Sequence, residues 1–150
     1  MVATRRTEEV LREVIDGAKR RLFLVSYVAY RIDGVLEALE KAVKRGVKVE
    51  VLMESTNEYG GRISMDSIEL FRKTLPKALV YWWNEPEASV HAKCVVADGE
   101  VAFVTSANLT EAAMERNMEL GVKVEGGDLP KRLHDHLDAL VVTGKIERVE

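Results

Sequence analysis

The sequence predicts an α/β fold with a mixed, mostly parallel β-sheet flanked by helices on both faces. Stretches with apolar residues at the helical repeat alternate with short apolar stretches rich in Val and Leu, as in proteins whose helices cover a buried sheet. Between residues 22 and 53, a strand, a helix and a strand follow one another at βαβ spacing, which predicts a parallel pair. Further along, an Asp-Gly pair between two strand-like stretches predicts a hairpin, so the sheet is mixed.

The predicted elements follow one another in a regular order. The first half contains a helix from Thr7 to about residue 21, a strand at 22–29, a helix from Asp33 to about Lys44, and a strand at 47–53. The second half contains a helix capped by Ser64, a strand at 78–83, a hairpin around Asp98 and Gly99, a strand at 121–125, and a closing helix. Gly46 and Pro76 are expected to end the second and third helices.

Length and composition favour one domain. With 150 residues, 47% of them hydrophobic, the chain is expected to form a single domain over residues 1–150, whether complete or a fragment of a longer protein. The net charge of −3 gives no general attraction for polyanions, so nucleic-acid contact depends on a local surface. The single cysteine excludes an intrachain disulfide, and no apolar stretch is long enough to span a bilayer. We therefore expect a cytoplasmic protein without stable membrane insertion.

Two strand ends carry candidate substrate contacts. Tyr27 lies near the end of the first predicted strand, and the polar segment of residues 54–62 follows the second. The carboxyl edge of parallel strands is where α/β sheets bind ligands, so Tyr27, Glu54 and Arg62 are candidate substrate-binding residues. The alternative for residues 54–62 is a solvated connection.

Polar residues converge at one end of the predicted hairpin. With a two-residue turn at residues 98–99, Lys93 faces Val104 and His91 faces Ser106. A neutral imidazole can attack phosphorus, while ammonium, amide and hydroxyl groups can hold phosphate oxygens. The pattern therefore predicts a phosphoryl-transfer site that needs neither metal nor cofactor. Its candidate residues are His91, Lys93, Ser106 and Asn108.

These residues resemble a known signature. HAKCVVAD at residues 91–98 and TSAN at 105–108 resemble the HxKxxxxD and GSxN motifs of the phospholipase D superfamily, with Thr105 where the family usually has glycine. Asn117 and Glu119 fit the extension seen in its small bacterial nucleases. SYVAY, ESTNEYGGR and ERNMELGV also resemble the phospholipase-D-like component of DISARM phage-defence systems, and that likeness covers nearly all of the chain.

The resemblance implies a role for each matching residue. His91 would be the nucleophile that forms a phosphohistidine, and Lys93 and Asn108 would bind phosphate oxygens. Ser106 would support that group, and Glu119 would orient the imidazole by accepting its other N–H.

Two further motif residues receive different roles. The hairpin places Asp98 in the turn, on the order of 23 Å from His91 along the strand, so we interpret it as structural. Asn117 is a candidate substrate-binding residue.

The family's mechanism uses two histidines, one that attacks and one that protonates the leaving oxygen. This chain has one such motif, and we interpret His134 and His136 as ordinary surface or cap residues. We therefore predict a homodimer with a shared active site. The alternative is that a larger parent protein supplies the second motif.

The substrate remains open between three interpretations. A nuclease acting on DNA or RNA, with defence proteins as partners, is favoured because single-motif members of the superfamily resemble nucleases. The alternatives are a phospholipase D acting on phospholipid, and a non-catalytic member that binds nucleic acid or partners. Trp82 and Trp83 are candidates for base stacking or for the core. A basic rim, or else a solvated helix face, is predicted from Lys41, Lys44, Arg45, Lys48, Arg62, Arg72 and Lys73.

Overall fold

The computed structural model describes residues 6–26, 33–53, 62–85, 87–88, 90–107 and 118–150. Four helices lie within these ranges: α1 Thr7–Gly17, α2 Asp33–Lys44, α3 Arg62–Thr74 and α4 Asp128–Val142. Seven strands accompany them: β1 Arg21–Ser26, β2 Lys48–Met53, β3 Leu79–Trp83, β4 Cys94–Ala97, β5 Val101–Thr105, β6 Gly121–Glu125 and β7 Ile146–Arg148. None of the helices in these ranges is both long enough and apolar enough to cross a membrane.

The strands form one sheet in the order β6-β5-β4-β1-β2-β3-β7. β1 is parallel to β2, and β2 to β3, which confirms the βαβ prediction. The other four neighbouring pairs are antiparallel. The mixed α/β sheet is therefore confirmed, but the expectation of a mostly parallel sheet is wrong. The hairpin and two further strands, β6 and the unpredicted β7, each add antiparallel pairs.

Helices cover both faces of the sheet, as predicted. Successive residues of β1 point to opposite sides, and both sides are buried. Leu24 packs in the cluster that includes Ile15 of α1 and Leu39 of α2. Phe23 packs in the second cluster, which includes Leu137 of α4. The continuous apolar stretch of β1 thus reflects a strand that is covered twice.

Helix boundaries follow local chemistry, but two predicted boundaries are wrong. α1 ends at Gly17 rather than near residue 21, because β1 already begins at Arg21. Gly46, two residues after the end of α2, adopts a φ of 88°, the left-handed conformation in which glycine ends helices. The prediction that Ser64 caps α3 is wrong, because α3 begins at Arg62 and Ser64 lies inside its first turn.

The register of the β4–β5 hairpin differs from the prediction by one residue. Val104 faces Cys94 rather than Lys93, and Ala97 faces Val101. The turn holds an additional residue, Glu100, whose N–H donates to the Ala97 carbonyl while its own carbonyl accepts the Gly126 N–H at 2.8 Å. Glu100 is thereby drawn toward the end of β6, so the two-residue turn does not form.

His134 is buried, which contradicts its interpretation as a surface residue. Its ring lies between α4 and the sheet, 3% exposed, in a T-shaped contact with the ring of Phe23. Burial, reinforced by the Arg21 guanidinium, lowers the pKa of the imidazole, so His134 is neutral inside the fold. His136, two residues further along α4, is exposed as predicted.

Candidate active site

The motif residues lie at one edge of the sheet. Cys94, the first residue of β4, pairs with Val25 near the carboxyl end of β1. His91 and Lys93 directly precede β4, and Ser106 directly follows β5. This edge is therefore also the carboxyl edge of the parallel strands β1 to β3, where α/β sheets bind ligands.

His91 is exposed at this edge, and Lys93 beside it is half-buried. The Lys93 ammonium donates a hydrogen bond of 2.9 Å to the carbonyl oxygen of His91. The Thr105 N–H donates to the Lys93 carbonyl at 3.1 Å, so Lys93 rather than Ala92 lies across from the end of β5. A positive charge is thus held next to the histidine backbone, in a position suited to an anionic substrate.

Cys94, next to the motif residues, is not a candidate nucleophile. Its side chain packs against the second core cluster, and burial raises the pKa of its thiol to about 11. A thiol with that pKa stays protonated near neutral pH and is a weak nucleophile.

Three hydrogen bonds join Ser106 to Glu119 and Leu120, the two residues directly before β6. The Ser106 hydroxyl donates to the Glu119 carboxylate and accepts the Leu120 N–H at 3.1 Å. The Ser106 N–H donates to the Leu120 carbonyl at 2.9 Å. The hydroxyl proton of Ser106 is therefore committed to Glu119, and this serine positions a carboxylate. The phosphate-supporting role of Ser106 and the imidazole-orienting role of Glu119 stay predictions.

Thr105 adds a contact that sequence reasoning missed. Its hydroxyl donates to the Leu120 carbonyl at 3.1 Å and accepts the Ala107 N–H at 3.1 Å. The sequence marks Thr105 only as a departure from the family's glycine. Only the folded structure shows that β5 pairs with β6, and this pairing brings the Thr105 hydroxyl to the Leu120 carbonyl.

Asp98 lies in the hairpin turn, at the opposite edge of the sheet. Its carboxylate accepts the backbone N–H groups of Lys19, Arg20 and Arg21 at 2.8 to 2.9 Å, and its own N–H donates to the Arg21 carbonyl. Burial alone would raise the pKa of this carboxyl, but the backbone N–H groups of Lys19, Arg21 and Arg20 outweigh it and lower the pKa. Asp98 thus ties the turn to the junction of α1 and β1.

Comparison with known proteins identifies the family of this chain. The sequence model described as "Cardiolipin synthase, PLD-like domain" matches residues 11–141. The chain belongs to this phospholipase D-like family. The match confirms the resemblance that the motifs at 91–98 and 105–108 carry.

Two relatives and one solved structure are similar to this phospholipase D-like chain. DISARM protein DrmC of Bacillus paralicheniformis is 35% identical over 134 residues, 83% of this chain and 52% of the relative. Cardiolipin synthase A of Pseudomonas putida is 33% identical over 108 residues, 72% of this chain and 22% of the synthase. The chain thus spans about half of the first relative and under a quarter of the second.

The solved structure of Nuc, a phospholipase D family member from Salmonella typhimurium, shares the fold. It superposes with a TM-score of 0.76 at 22% identity, over 95% of this chain and 90% of Nuc. The likeness extends over nearly the whole of both chains.

Four predicted site residues of the phospholipase D-like chain, Tyr27, Glu54, Asn108 and Asn117, lie outside the described residues. Arg62 is described as the first residue of α3. Among the residues that the structure does describe, no three His, Cys, Asp or Glu side chains form a group that could hold a metal ion.

Two cations of the predicted basic rim, Lys48 and Arg45, lie away from this edge. Lys48 begins β2 at the amino edge of the sheet, and its ammonium is paired with Glu50. Arg45, after α2, donates to the carbonyls of Ile15 and Ala18. These cations are used in structural contacts away from the motif residues, so the interpretation as a rim of the site is wrong for them.

Asp98→Ala in this phospholipase D-like domain is expected to lower the free energy of unfolding by about 2 kcal/mol, because three N–H groups lose a charged acceptor in a half-exposed turn. Alanine also tolerates the φ of 55° at this position less well than Asp or Asn. Asp98→Asn is the matched control, with an expected loss of about 1 kcal/mol. Urea unfolding measures both.

The Asp98 contribution also depends on pH. Because the folded pKa is lower than the ordinary 3.8, the stabilisation is complete above 3.8 and is lost as the pH falls through the folded value. The difference in free energy of unfolding between wild type and Asp98→Ala should therefore become smaller in acid. Equal stability of the two proteins at neutral pH would contradict the structural role.

Proposed function

We propose that this phospholipase D-like domain is a phosphodiesterase that hydrolyses DNA or RNA through a phosphohistidine on His91, without a metal ion. The observation that carries the proposal is an exposed imidazole beside a held ammonium, Lys93, at the carboxyl edge of the sheet. The ordered Ser106–Glu119 pair borders the same edge. A nucleophile, a cation and an oriented carboxylate are the groups that phosphoryl transfer needs when no metal supplies the charge.

The reaction proceeds in two balanced steps. An imidazole nitrogen of His91 bonds to phosphorus as the bond from phosphorus to the leaving oxygen breaks, and that oxygen takes a proton from a general acid. Water then attacks the phosphohistidine and loses a proton to the same group, which frees His91. Lys93 stabilises the negative charge that gathers on the non-bridging oxygens in both steps.

The general acid is the imidazole of a second copy of the chain in this proposal. His91 cannot protonate the leaving oxygen while it is bonded to phosphorus. His134 is buried between α4 and the sheet, and His136 belongs to the same helix rather than to the motif segments. A homodimer with one shared cleft supplies the missing imidazole.

Exposed apolar side chains next to the site support a second copy. We call these side chains the apolar strip: Val104, Met118, Leu120 and Val122. Met118 is 88% exposed and Leu120 70%, and they flank Glu119. A contiguous patch of exposed apolar side chains marks an interaction site. A stable interface needs about 800 Å² from each partner, so the strip would form its apolar centre and adjoining surface the remainder.

Val122→Lys is expected to convert a dimer to a monomer and to lower activity at least about tenfold, since a buried, unpaired ammonium opposes association. Val122 pairs with Val104 on β5, and lysine is tolerated on an edge strand of a monomer. Leu129→Lys is the control, because Leu129 is exposed on α4 beyond the other end of β6. Light scattering gives the mass. An active wild-type monomer would refute the shared site.

Nucleic acid is preferred over lipid as the substrate because the chain is similar to DrmC and because Asn117 and Glu119 fit the extension seen in small bacterial nucleases of the superfamily. A place in phage defence, with other defence proteins as partners, is part of this proposal. The family description and the similarity to cardiolipin synthase A support phospholipid as the second candidate.

The test is a substrate panel with the wild-type protein in excess chelator. Single- and double-stranded DNA and RNA, a chromogenic phosphodiester and cardiolipin vesicles are incubated separately. Cleavage of a nucleic acid with chelator present is the expected result. Turnover of lipid alone would favour the second candidate, and binding of nucleic acid with no turnover would replace the enzyme by a binding protein.

A further inference from the structure

We infer that Thr105 is a positioning residue of this site, whose hydroxyl holds the Ser106 segment against the Glu119 segment. The inference rests on the proposed function, because it concerns how the same site is kept in shape. Thr105 occupies the place where the resembled motif usually has glycine, and a glycine has no side chain that could make this contact.

The hydroxyl of Thr105 joins two parts of the chain. It donates to the Leu120 carbonyl, 15 residues away in sequence, and accepts the N–H of Ala107. The same Leu120 carbonyl accepts the Ser106 N–H, and the Leu120 N–H donates to the Ser106 hydroxyl. Two successive residues of one segment are therefore bonded to a single residue of the other.

The partner strand leaves room for this side chain. Thr105 lies across from Gly121 in the β5–β6 ladder. A Cβ at Gly121 would lie 3.1 Å from the Thr105 Cβ and 2.4 Å from the Phe103 ring. Any larger residue at 121 would have to displace one of them. In this pair the glycine lies on β6, and its missing side chain leaves space for Thr105 on β5.

Loss of the hydroxyl would affect the turn into the site. Ala107 is buried, and its N–H has Thr105 as its acceptor. An amide left without an acceptor in a buried position is costly, so the backbone at 106–107 would shift to find one. Ser106 lies in that backbone and holds Glu119, and a displacement of about 1 Å in a catalytic group can cost on the order of a hundredfold in rate.

The test compares Thr105→Val, which keeps the shape and removes the hydroxyl, with Thr105→Ser, which keeps the hydroxyl. We expect Thr105→Val to lower kcat at least about tenfold with KM changed less than about twofold, and Thr105→Ser to stay within about twofold of wild type. Amide hydrogen exchange at Ala107 should accelerate in Thr105→Val alone. Thermal unfolding checks that each variant folds, and Thr105→Ala replaces the valine variant if it does not.

The outcomes separate this inference from the proposed function. Wild-type kcat and Ala107 protection in Thr105→Val would overturn the inference, and so would equal losses in the valine and serine variants. If wild type cleaves no phosphodiester, the proposed function fails, while the exchange rates at Ala107 still decide whether the hydroxyl holds the segment.

Discussion

His91→Ala is expected to lower kcat for phosphodiester cleavage by at least about a thousandfold, because the variant cannot form the covalent intermediate. The exposed position of His91 makes its removal compatible with folding. Both steps of the proposed reaction need this imidazole, so neither an altered substrate nor a higher substrate concentration should restore the rate. Steady-state kinetics on the best substrate of the panel measure the loss.

His136→Ala is the matched control. It removes another exposed imidazole, on α4, and should leave kcat within about twofold of wild type. The kcat of Lys93→Ala should lie between those of His91→Ala and His136→Ala, since this variant loses charge stabilisation but keeps the nucleophile. Residual activity of His91→Ala near the wild-type level would refute the covalent mechanism.

Mixtures of wild-type and His91→Ala chains test the shared cleft. If each active dimer needs both imidazoles, activity falls with the square of the wild-type fraction, because mixed dimers are inactive. If each chain has its own complete site, activity falls in direct proportion. The chains must be unfolded and refolded together so that they exchange. A linear dependence would refute the shared cleft without refuting the nucleophile.

The sequence predicts most of the sheet and the edge that carries the motif residues. The continuous apolar stretch of β1, the helix that ends at Gly46 and the strand after it predict a parallel pair, and the structure contains that pair. Periodicity and turn residues are local properties, so they can be read without the fold. The motif then places His91 and Lys93 at the end of a strand, where the structure also has them.

The errors come from contacts between distant parts of the chain. The hairpin register depends on Glu100 bonding to Gly126 and on Asp98 bonding to the backbone at the start of β1, more than seventy residues away. A local turn rule contains neither contact. The Thr105 hydroxyl likewise acquires its role from Leu120, which becomes its neighbour only when β6 adds to the sheet.

His134 was predictable in part. It lies at helical spacing from Pro130 and Leu137, and all three are buried on the inner face of α4. The residue type favoured a surface position, and the periodicity favoured the core. Burial prevailed because a neutral imidazole next to Phe23 costs much less than a charged one.

Glu50→Ala is expected to lower the free energy of unfolding by about 3 kcal/mol, because it removes the acceptor of a buried hydroxyl and leaves a cavity. Glu50 lies in the middle of β2 and is 2% exposed. The Tyr81 hydroxyl donates to its Oε2 at 2.8 Å. Burial and the Glu50 carboxylate raise the pKa of Tyr81 to about 12, so the phenol remains a donor at neutral pH.

The loss of the ion pairs between Glu50 and its neighbouring cations contributes little to the destabilisation in Glu50→Ala. The Lys48 ammonium lies 3.1 Å from Oε1, in an ion pair without hydrogen-bond geometry, and 56% of its side chain is open to water. Arg21 lies 4.0 Å from the same oxygen and keeps its closer partner, Asp138, at 2.5 Å. The loss should therefore reflect the Tyr81 bond and the cavity rather than unpaired charges.

A double-mutant cycle separates these two contributions. Glu50→Ala and Tyr81→Phe each remove one partner of the hydrogen bond, and the double variant removes both. If the bond is responsible, the losses are less than additive, with a coupling energy of about 1 kcal/mol or more. Glu50→Gln keeps an acceptor and should cost about 1 kcal/mol. Additive losses would show that Glu50 contributes through packing alone, and kcat per folded molecule should stay unchanged in every variant of the cycle.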